Sequence, residues 1–198
     1  MGQAGYSRDM LSIYDLCQQG SRALGPGLRY VIWTQGCPFH CEGCATPESR
    51  TKTHDKQVYI TALAEDILAR PSIEGVTISG GEPFLQAEAL ADFLDLVLAK
   101  RPELTVMSFT GYLKEDLIWP EALRLLGHLD LLIDGPYVEA LNDNQGLRGS
   151  SNQRFHFLTP RLMPWKDELE QGNRKVEFHI VQGKVKAFGV PSSEIKNV

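Results

Sequence analysis

Residues 29–44 read Arg29-Tyr30-Val31-Ile32-Trp33-Thr34-Gln35-Gly36-Cys37-Pro38-Phe39-His40-Cys41-Glu42-Gly43-Cys44. Apart from Arg29, the first six are β-branched or aromatic, the composition of a strand. The strand runs through Gln35-Gly36 straight into a loop with three cysteines in C-x3-C-x2-C spacing. A loop of reactive side chains directly after an apolar strand is the signature of an α/β protein, whose sites collect at the carboxyl ends of its strands.

The same unit recurs along the chain. Residues 75–79 (GVTIS) read as a short buried strand ending in Gly80-Gly81-Glu82-Pro83. Residues 105–109 form the next strand and lead into Thr110-Gly111-Tyr112; residues 129–133 lead into Asp134-Gly135-Pro136-Tyr137. Helices are predicted between them. Residues 55–70 end in a helical pattern with Leu63, Ile67 and Leu68 on one face and Pro71 as the stop. Residues 86–100 carry an apolar stripe of Leu90, Phe93, Leu94, Val97 and Leu98. Residues 121–126 form a third helix, with Pro120 suited to its first turn.

Strands alternating with helices imply a parallel sheet with right-handed crossovers. Four loops then gather above one edge of it. The units are too few for a full eight-stranded barrel, so the expected fold is α/β: a partial, open TIM-like (β/α) barrel with parallel strands. A polar, turn-rich loop spans 139–153 and a further strand is expected at 154–158. Val176, Phe178 and Ile180 alternate with charged or polar residues, so 175–181 reads as a half-buried strand. Gln182-Gly183 would turn it into 184–188, giving a C-terminal hairpin.

The 198 residues are 42% hydrophobic and 23% charged, which fits one domain over residues 1–198 with a substantial core. The net charge of −5 and the lack of a Lys/Arg-rich run argue against a nucleic-acid partner. No stretch is long and apolar enough to span a bilayer. The first twenty residues carry Arg8, Asp9 and Asp15 without a long apolar run, so no secretory leader is expected. The cysteines are then expected in a reducing, cytoplasmic setting as metal ligands. Cys17 stands alone and reads as an inert, buried thiol. His40, His128, His156 and His179 belong to no visible constellation.

Three cysteines are one short of a full ligand set, since structural zinc and ordinary iron–sulfur sites take four protein ligands. An open position is where a metal centre does chemistry. The spacing favours a 4Fe–4S cluster on Cys37, Cys41 and Cys44. The rival is zinc completed by His40, His54 or a distant residue, in an interaction module without catalysis. Zinc sites more often use paired C-x2-C knuckles, and no second pair is present.

With Ser79-Gly80-Gly81-Glu82-Pro83 after the second strand, the cysteine loop resembles the radical S-adenosylmethionine superfamily. Within it the chain resembles the small activating proteins of glycyl-radical enzymes, and most closely the branch that activates anaerobic ribonucleoside-triphosphate reductase. Thr34 to Cys37, Ser79 to Pro83, Thr110 to Tyr112, Leu132 to Pro136 and Arg148 to Arg154 carry the match. Gly189-Val190-Pro191 also resembles the family's tail. The resemblance implies a reduced cluster that passes one electron to S-adenosylmethionine, with Gly80, Gly81 and Glu82 meeting the methionine amino group. It places Gly43, where many relatives have a bulky apolar residue, and Ala45 beside the cofactor. Thr110 would form a wall. Asp134, a carboxylate leaving the apolar run Leu131-Leu132-Ile133, is a candidate for ribose or backbone contacts, with an Asp-Gly turn as the alternative. The resemblance implies a glycyl-radical enzyme as partner, with Arg148 and Arg154 as candidate contacts, and flavodoxin or ferredoxin as electron donor. A peptide or small molecule is the alternative substrate. The chain departs from the family pattern at Ala45-Thr46, where an aromatic or His followed by Asn is usual.

Overall fold

The computed structural model describes residues 7–53, 55–181 and 183–190. His54, Gln182 and Pro191, named above, lie outside the described residues. The chain opens with β1 (Met10–Ser21) and β2 (Arg29–Thr34), followed by β3 (Gln57–Tyr59) and α1 (Ile60–Leu68). Then come β4 (Gly75–Gly80), α2 (Ala87–Leu98), β5 (Thr105–Phe109), α3 (Pro120–Leu126), β6 (Leu131–Asp134) and β7 (Arg154–Phe157). The last elements are α4 (Lys166–Gln171), β8 (Val176–Val181) and β9 (Lys184–Gly189).

A seven-stranded sheet has the order β3-β1-β2-β4-β5-β6-β7. β2, β4, β5 and β6 pair in parallel through helical crossovers, as the alternation predicts. β1, β3 and β7 are antiparallel additions at the two edges. The architecture is therefore mixed α/β with a mostly parallel sheet and a separate antiparallel hairpin, β8–β9. Among the described residues no helix is long and apolar enough to cross a membrane.

The near-continuous apolar character of β2 follows from burial on both faces. Tyr30 and Ile32 point into the helix-covered core with Val76, Ile78, Leu90, Phe93 and Leu94. Val31 points the other way, into a second cluster with Met107, Leu131, Ile133 and Phe188. Arg29 is fully buried among neutral acceptors: Thr77 Oγ1 at 2.6 Å, Thr105 Oγ1 at 2.9 Å, Val76 O at 2.7 Å, Thr105 O at 3.0 Å and Pro26 O at 3.1 Å. Its guanidinium thereby ties β2 to β4 and β5. Burial pushes its pKa down to about 9, against the pull of the Asp130 and Glu74 charges.

Sequence patterning gives no strand at β1 or β3 and no helix at α4. β1 is long but irregular, with register shifts between Ile13 and Asp15 and between Cys17 and Ser21, which break the period of two. The hairpin forms as expected, but with its sides exchanged. Phe178 and Ile180 are exposed, whereas Glu177 and His179 face β1.

The α2 stripe supplies much of the helix-side core. Phe93 is fully buried, and Phe93→Ala is expected to cost about 3–5 kcal/mol, read as a lower urea midpoint with an unchanged slope.

Candidate active site

The cysteine loop is stitched down at its base. Gln35 N–H donates to Ser12 O at 2.9 Å, Gly36 N–H to Ser49 O at 2.7 Å and Cys37 N–H to Arg50 O at 3.0 Å. The buried Gln86 amide pins the same corner, bonding Ser12 N–H at 2.8 Å, Ser12 O at 2.9 Å and Gln35 O at 3.2 Å. Arg50 Nη2 reaches up to Cys41 O at 3.0 Å. Thr46 links the loop to the next motif, its hydroxyl donating to Gly80 O at 3.4 Å.

The second motif meets the first backbone to backbone. Gly81 N–H donates to Thr34 O and Glu82 N–H to Gly36 O, each at 2.8 Å. A side chain at Gly81 would overlap the Gly36 carbonyl. Gly80 has φ +98°, and a Cβ there would lie 2.5 Å from Thr34 N. These two glycines are required by close approach and by left-handed backbone, respectively.

Glu82 is 1% exposed and joins a third loop to the other two. Its Oε1 accepts from Phe84 N–H at 2.9 Å and from the Thr110 hydroxyl at 2.8 Å; its Oε2 accepts from Gly111 N–H at 2.8 Å. Burial pushes the carboxyl up to about 7, against the pull of these three donors. Phe39, between the first two cysteines, packs over Gly111 and meets Tyr112 edge-on at 5.0 Å.

A cavity of about 950 Å³ opens above these loops. It is large enough for a nucleoside-sized ligand, since such pockets run from about 300 to 1,000 Å³. Cys37, Cys41, Cys44, Gly43, Ala45, Gly80, Gly81, Glu82 and Thr110 all line it. Asp134 does not, although the adjacent Gly135 does. Sequence reasoning passed over Trp33, Phe39, Tyr14, Glu139 and Phe178, which also line the cavity. The aromatic Phe39 inside the cysteine motif was the available signal; the distant Phe178 offered none.

The donor chemistry fits an iron–sulfur cluster. Three free, half-buried thiols share one cavity, and soft thiolates select zinc or iron–sulfur centres. Among the described residues no three His, Cys, Asp or Glu side chains are already gathered as a metal cage. The Cys37 thiol is pushed up to about 11 by burial, opposed by a hydrogen bond from the Phe39 backbone and reinforced by the charges of Glu82, Cys41 and Cys44. Ligation to a metal cation reverses that balance. Gly43, between the second and third cysteines, has φ +64°, and the Glu139 carboxylate fills the space a side chain there would need.

The fourth strand-end loop is held by Asp134, which is fully buried. Its carboxylate accepts from Lys114 N–H at 2.6 Å and Arg154 Nε at 2.9 Å, with His156 Nε2 at 3.0 Å. Arg154 also reaches Glu115, and Arg148 pairs with Asp143 at 2.6 Å. Gln153 braces the same loop, donating to Gly135 O and accepting from Gly149 N–H. Both arginines of the RGSSNQR stretch thus have partners inside the chain.

Two outcomes follow. Gly81→Ala is expected to lower stability by about 1–3 kcal/mol, as overpacking against backbone does, and to reduce iron loading of the purified protein. Burial alone would raise the Asp134 carboxyl, but Arg154, Lys114 N–H and His156 hold it below its ordinary 3.8. A depressed carboxylate contributes stability above its unfolded pKa and loses it as pH falls through the folded one. The urea midpoint should therefore drop as pH falls below about 4, with a shallower slope in Asp134→Asn.

Comparison with known proteins points the same way as the cavity. The 4Fe-4S single cluster domain family matches residues 23–156. The chain is 33% identical over 149 residues to the anaerobic ribonucleoside-triphosphate reductase-activating protein of Enterobacteria phage T4, covering 73% of this chain and 92% of the relative. It is 32% identical over 143 residues to the protein of that name from Escherichia coli (strain K12), covering 68% and 91%. A pyruvate formate-lyase-activating enzyme of Listeria monocytogenes is 33% identical over 115 residues, covering 55% of this chain and 46% of the relative. With its three cysteines and glycine-rich strand ends around one cavity, the chain belongs to the radical S-adenosylmethionine activases with a single 4Fe–4S cluster domain.

Proposed function

We propose that this activase forms a glycyl radical on an anaerobic ribonucleoside-triphosphate reductase, using S-adenosylmethionine. The observation that carries the reading is the shared cavity: the cysteine loop, the SGGEP turn and the TGY turn all open into it, stitched to one another by Glu82 and backbone hydrogen bonds. Cys37, Cys41 and Cys44 would hold the cluster, leaving one iron open. Once bound, the cluster would supply one electron to cleave the sulfonium to methionine and a 5′-deoxyadenosyl radical, which would take a hydrogen atom from the partner's glycine and leave as 5′-deoxyadenosine.

The chain's own residues bind and orient. Gly80 and Gly81 line the cavity at a strand end without side chains, so a cationic amino group can come close to the backbone there. Glu82 contributes negative charge beneath it; three donors already fix its carboxylate in place. Thr110 sets the orientation of Glu82 and so acts through it. Gly43 and Ala45 present backbone and a small side chain to the adenosine side. Asp134 shapes that wall indirectly, by holding the 134–137 loop through Lys114 and Arg154. The sheet is read as a partial barrel whose open side admits a protein loop, within one domain over residues 1–198. Flavodoxin or ferredoxin supplies the electron in the cytoplasm, and neither nucleic acid nor a membrane takes part.

The test is anaerobic reconstitution with iron and sulfide, then reaction with S-adenosylmethionine, reductant and the reductase. Four irons with matching sulfide and a glycyl signal by electron paramagnetic resonance are expected. Cys41→Ala should fold yet lose the cluster chromophore and reduce S-adenosylmethionine cleavage by at least about a hundredfold, or ~2.7 kcal/mol of barrier. Cofactor cleavage without a glycyl signal would move the reading to another peptide or small-molecule substrate. Zinc without a brown chromophore would end it.

A further inference from the structure

The C-terminal hairpin carries an apolar face that looks outward. In its register Val176, Phe178 and Ile180 stand opposite Gly189, Ala187 and Val185, so all six share one side. None of the six has a polar side chain. Phe178 is 62% exposed, Ile180 77% and Val185 69%. The other side carries Glu177, His179, Lys186 and Phe188 and is the one packed on the sheet. A half-buried sheet ordinarily has the reverse arrangement, apolar in and polar out.

Specific tethers hold this orientation. Lys186 Nζ lies 2.6 and 2.7 Å from the two Asp15 carboxylate oxygens of β1. Glu177 accepts from the Ser21 hydroxyl at 2.6 Å and from Arg22 N–H at 3.2 Å. Phe188 stacks on Trp33 at 5.4 Å, and His179 meets Phe188 edge-on at 4.8 Å. Turning the apolar side inward would break the contacts to Asp15, Ser21, Arg22 and Trp33.

Contiguous exposed apolar surface marks an interaction site. Here the site has a direction. Phe178 and Ala187 belong both to the outward face and to the lining of the large cavity, so the patch continues the cavity wall to the molecular surface. A polypeptide entering the cavity on this side crosses it. Glycine has no side chain through which to be recognised, so a target glycine must be held by the residues flanking it. We propose that the Val176–Phe178–Ile180 and Val185–Ala187 face docks the glycine-bearing segment of the partner enzyme, through apolar side chains beside that glycine. The proposal rests on the protein-substrate reading above and names the surface that reading requires.

Ile180→Ser/Val185→Ser tests it, because neither residue lines the cavity. Both variant and wild type are loaded with cluster anaerobically. Iron content, thermal midpoint and partner-independent S-adenosylmethionine cleavage should match wild type. Affinity for the intact reductase, measured by anaerobic sedimentation, should fall at least tenfold. The glycyl signal should fall at limiting reductase and recover at high reductase concentration. Unchanged affinity beside a normal wild-type signal overturns the docking surface alone. Unchanged affinity with loss of self-association assigns the face to a second copy, and unchanged affinity with faster hydrogen exchange in residues 191–198 assigns it to the chain's own tail; either overturns the proposal. A wild type that cleaves the cofactor yet neither binds the reductase nor gives the signal overturns the underlying reading, and the docking surface with it.

Discussion

The site rests on the close approach of two backbones, at Gly36 and at Gly81-Glu82. Glu82 N–H reaches the Gly36 carbonyl at 2.8 Å, and a side chain at Gly81 would collide with that carbonyl. This contact sets how the cysteine loop leaves β2 relative to the turn that leaves β4. The Glu82 carboxylate then extends the arrangement to β5 through Thr110 and Gly111. Three loops that are distant in sequence are thereby fixed around one cavity before any ligand arrives, which is how a protein preorganises a site for cofactor chemistry.

The central part of this arrangement is legible in the sequence because two independent signals coincide there. The β2, β4, β5 and β6 segments are apolar runs with reactive loops at their ends, and parallel topology forces those ends to one edge. The cysteine spacing and the paired glycines need no tertiary information to be noticed. What is not legible depends on long-range packing. β1 alternates poorly because two register shifts interrupt it. Asp134 sits at a strand end like the other site residues, but its orientation is decided by Arg154 and Lys114, and it points into an ion-pair network away from the cavity. The arginines of the 148–154 stretch read as exposed partner contacts until Asp143, Asp134 and Glu115 are seen beside them. Period-two alternation located β8, but it cannot say which side is covered, and the tethers on Glu177 and Lys186 chose the polar one.

The two sides of the sheet divide the work. One is closed by α1, α2 and α3 over the larger of the two apolar clusters. The other holds a smaller cluster, the cavity and the hairpin that continues its wall. The departure at Ala45-Thr46 fits this division. Thr46 bonds the Gly80 carbonyl and so reinforces the junction of the two motifs, while Ala45 leaves the cavity wide. A wide, partly apolar opening suits a polypeptide better than a small polar substrate.

The most direct measurement is electron–nuclear double resonance on the reduced, reconstituted protein with S-adenosylmethionine carrying ¹⁵N in its amino group. If the open iron and the Gly80-Gly81-Glu82 turn form one binding site, the amino nitrogen bonds the cluster and a strong ¹⁵N coupling appears, weakened or lost in Gly81→Ala. A fully loaded 4Fe–4S cluster that binds the cofactor with no ¹⁵N coupling would contradict that arrangement.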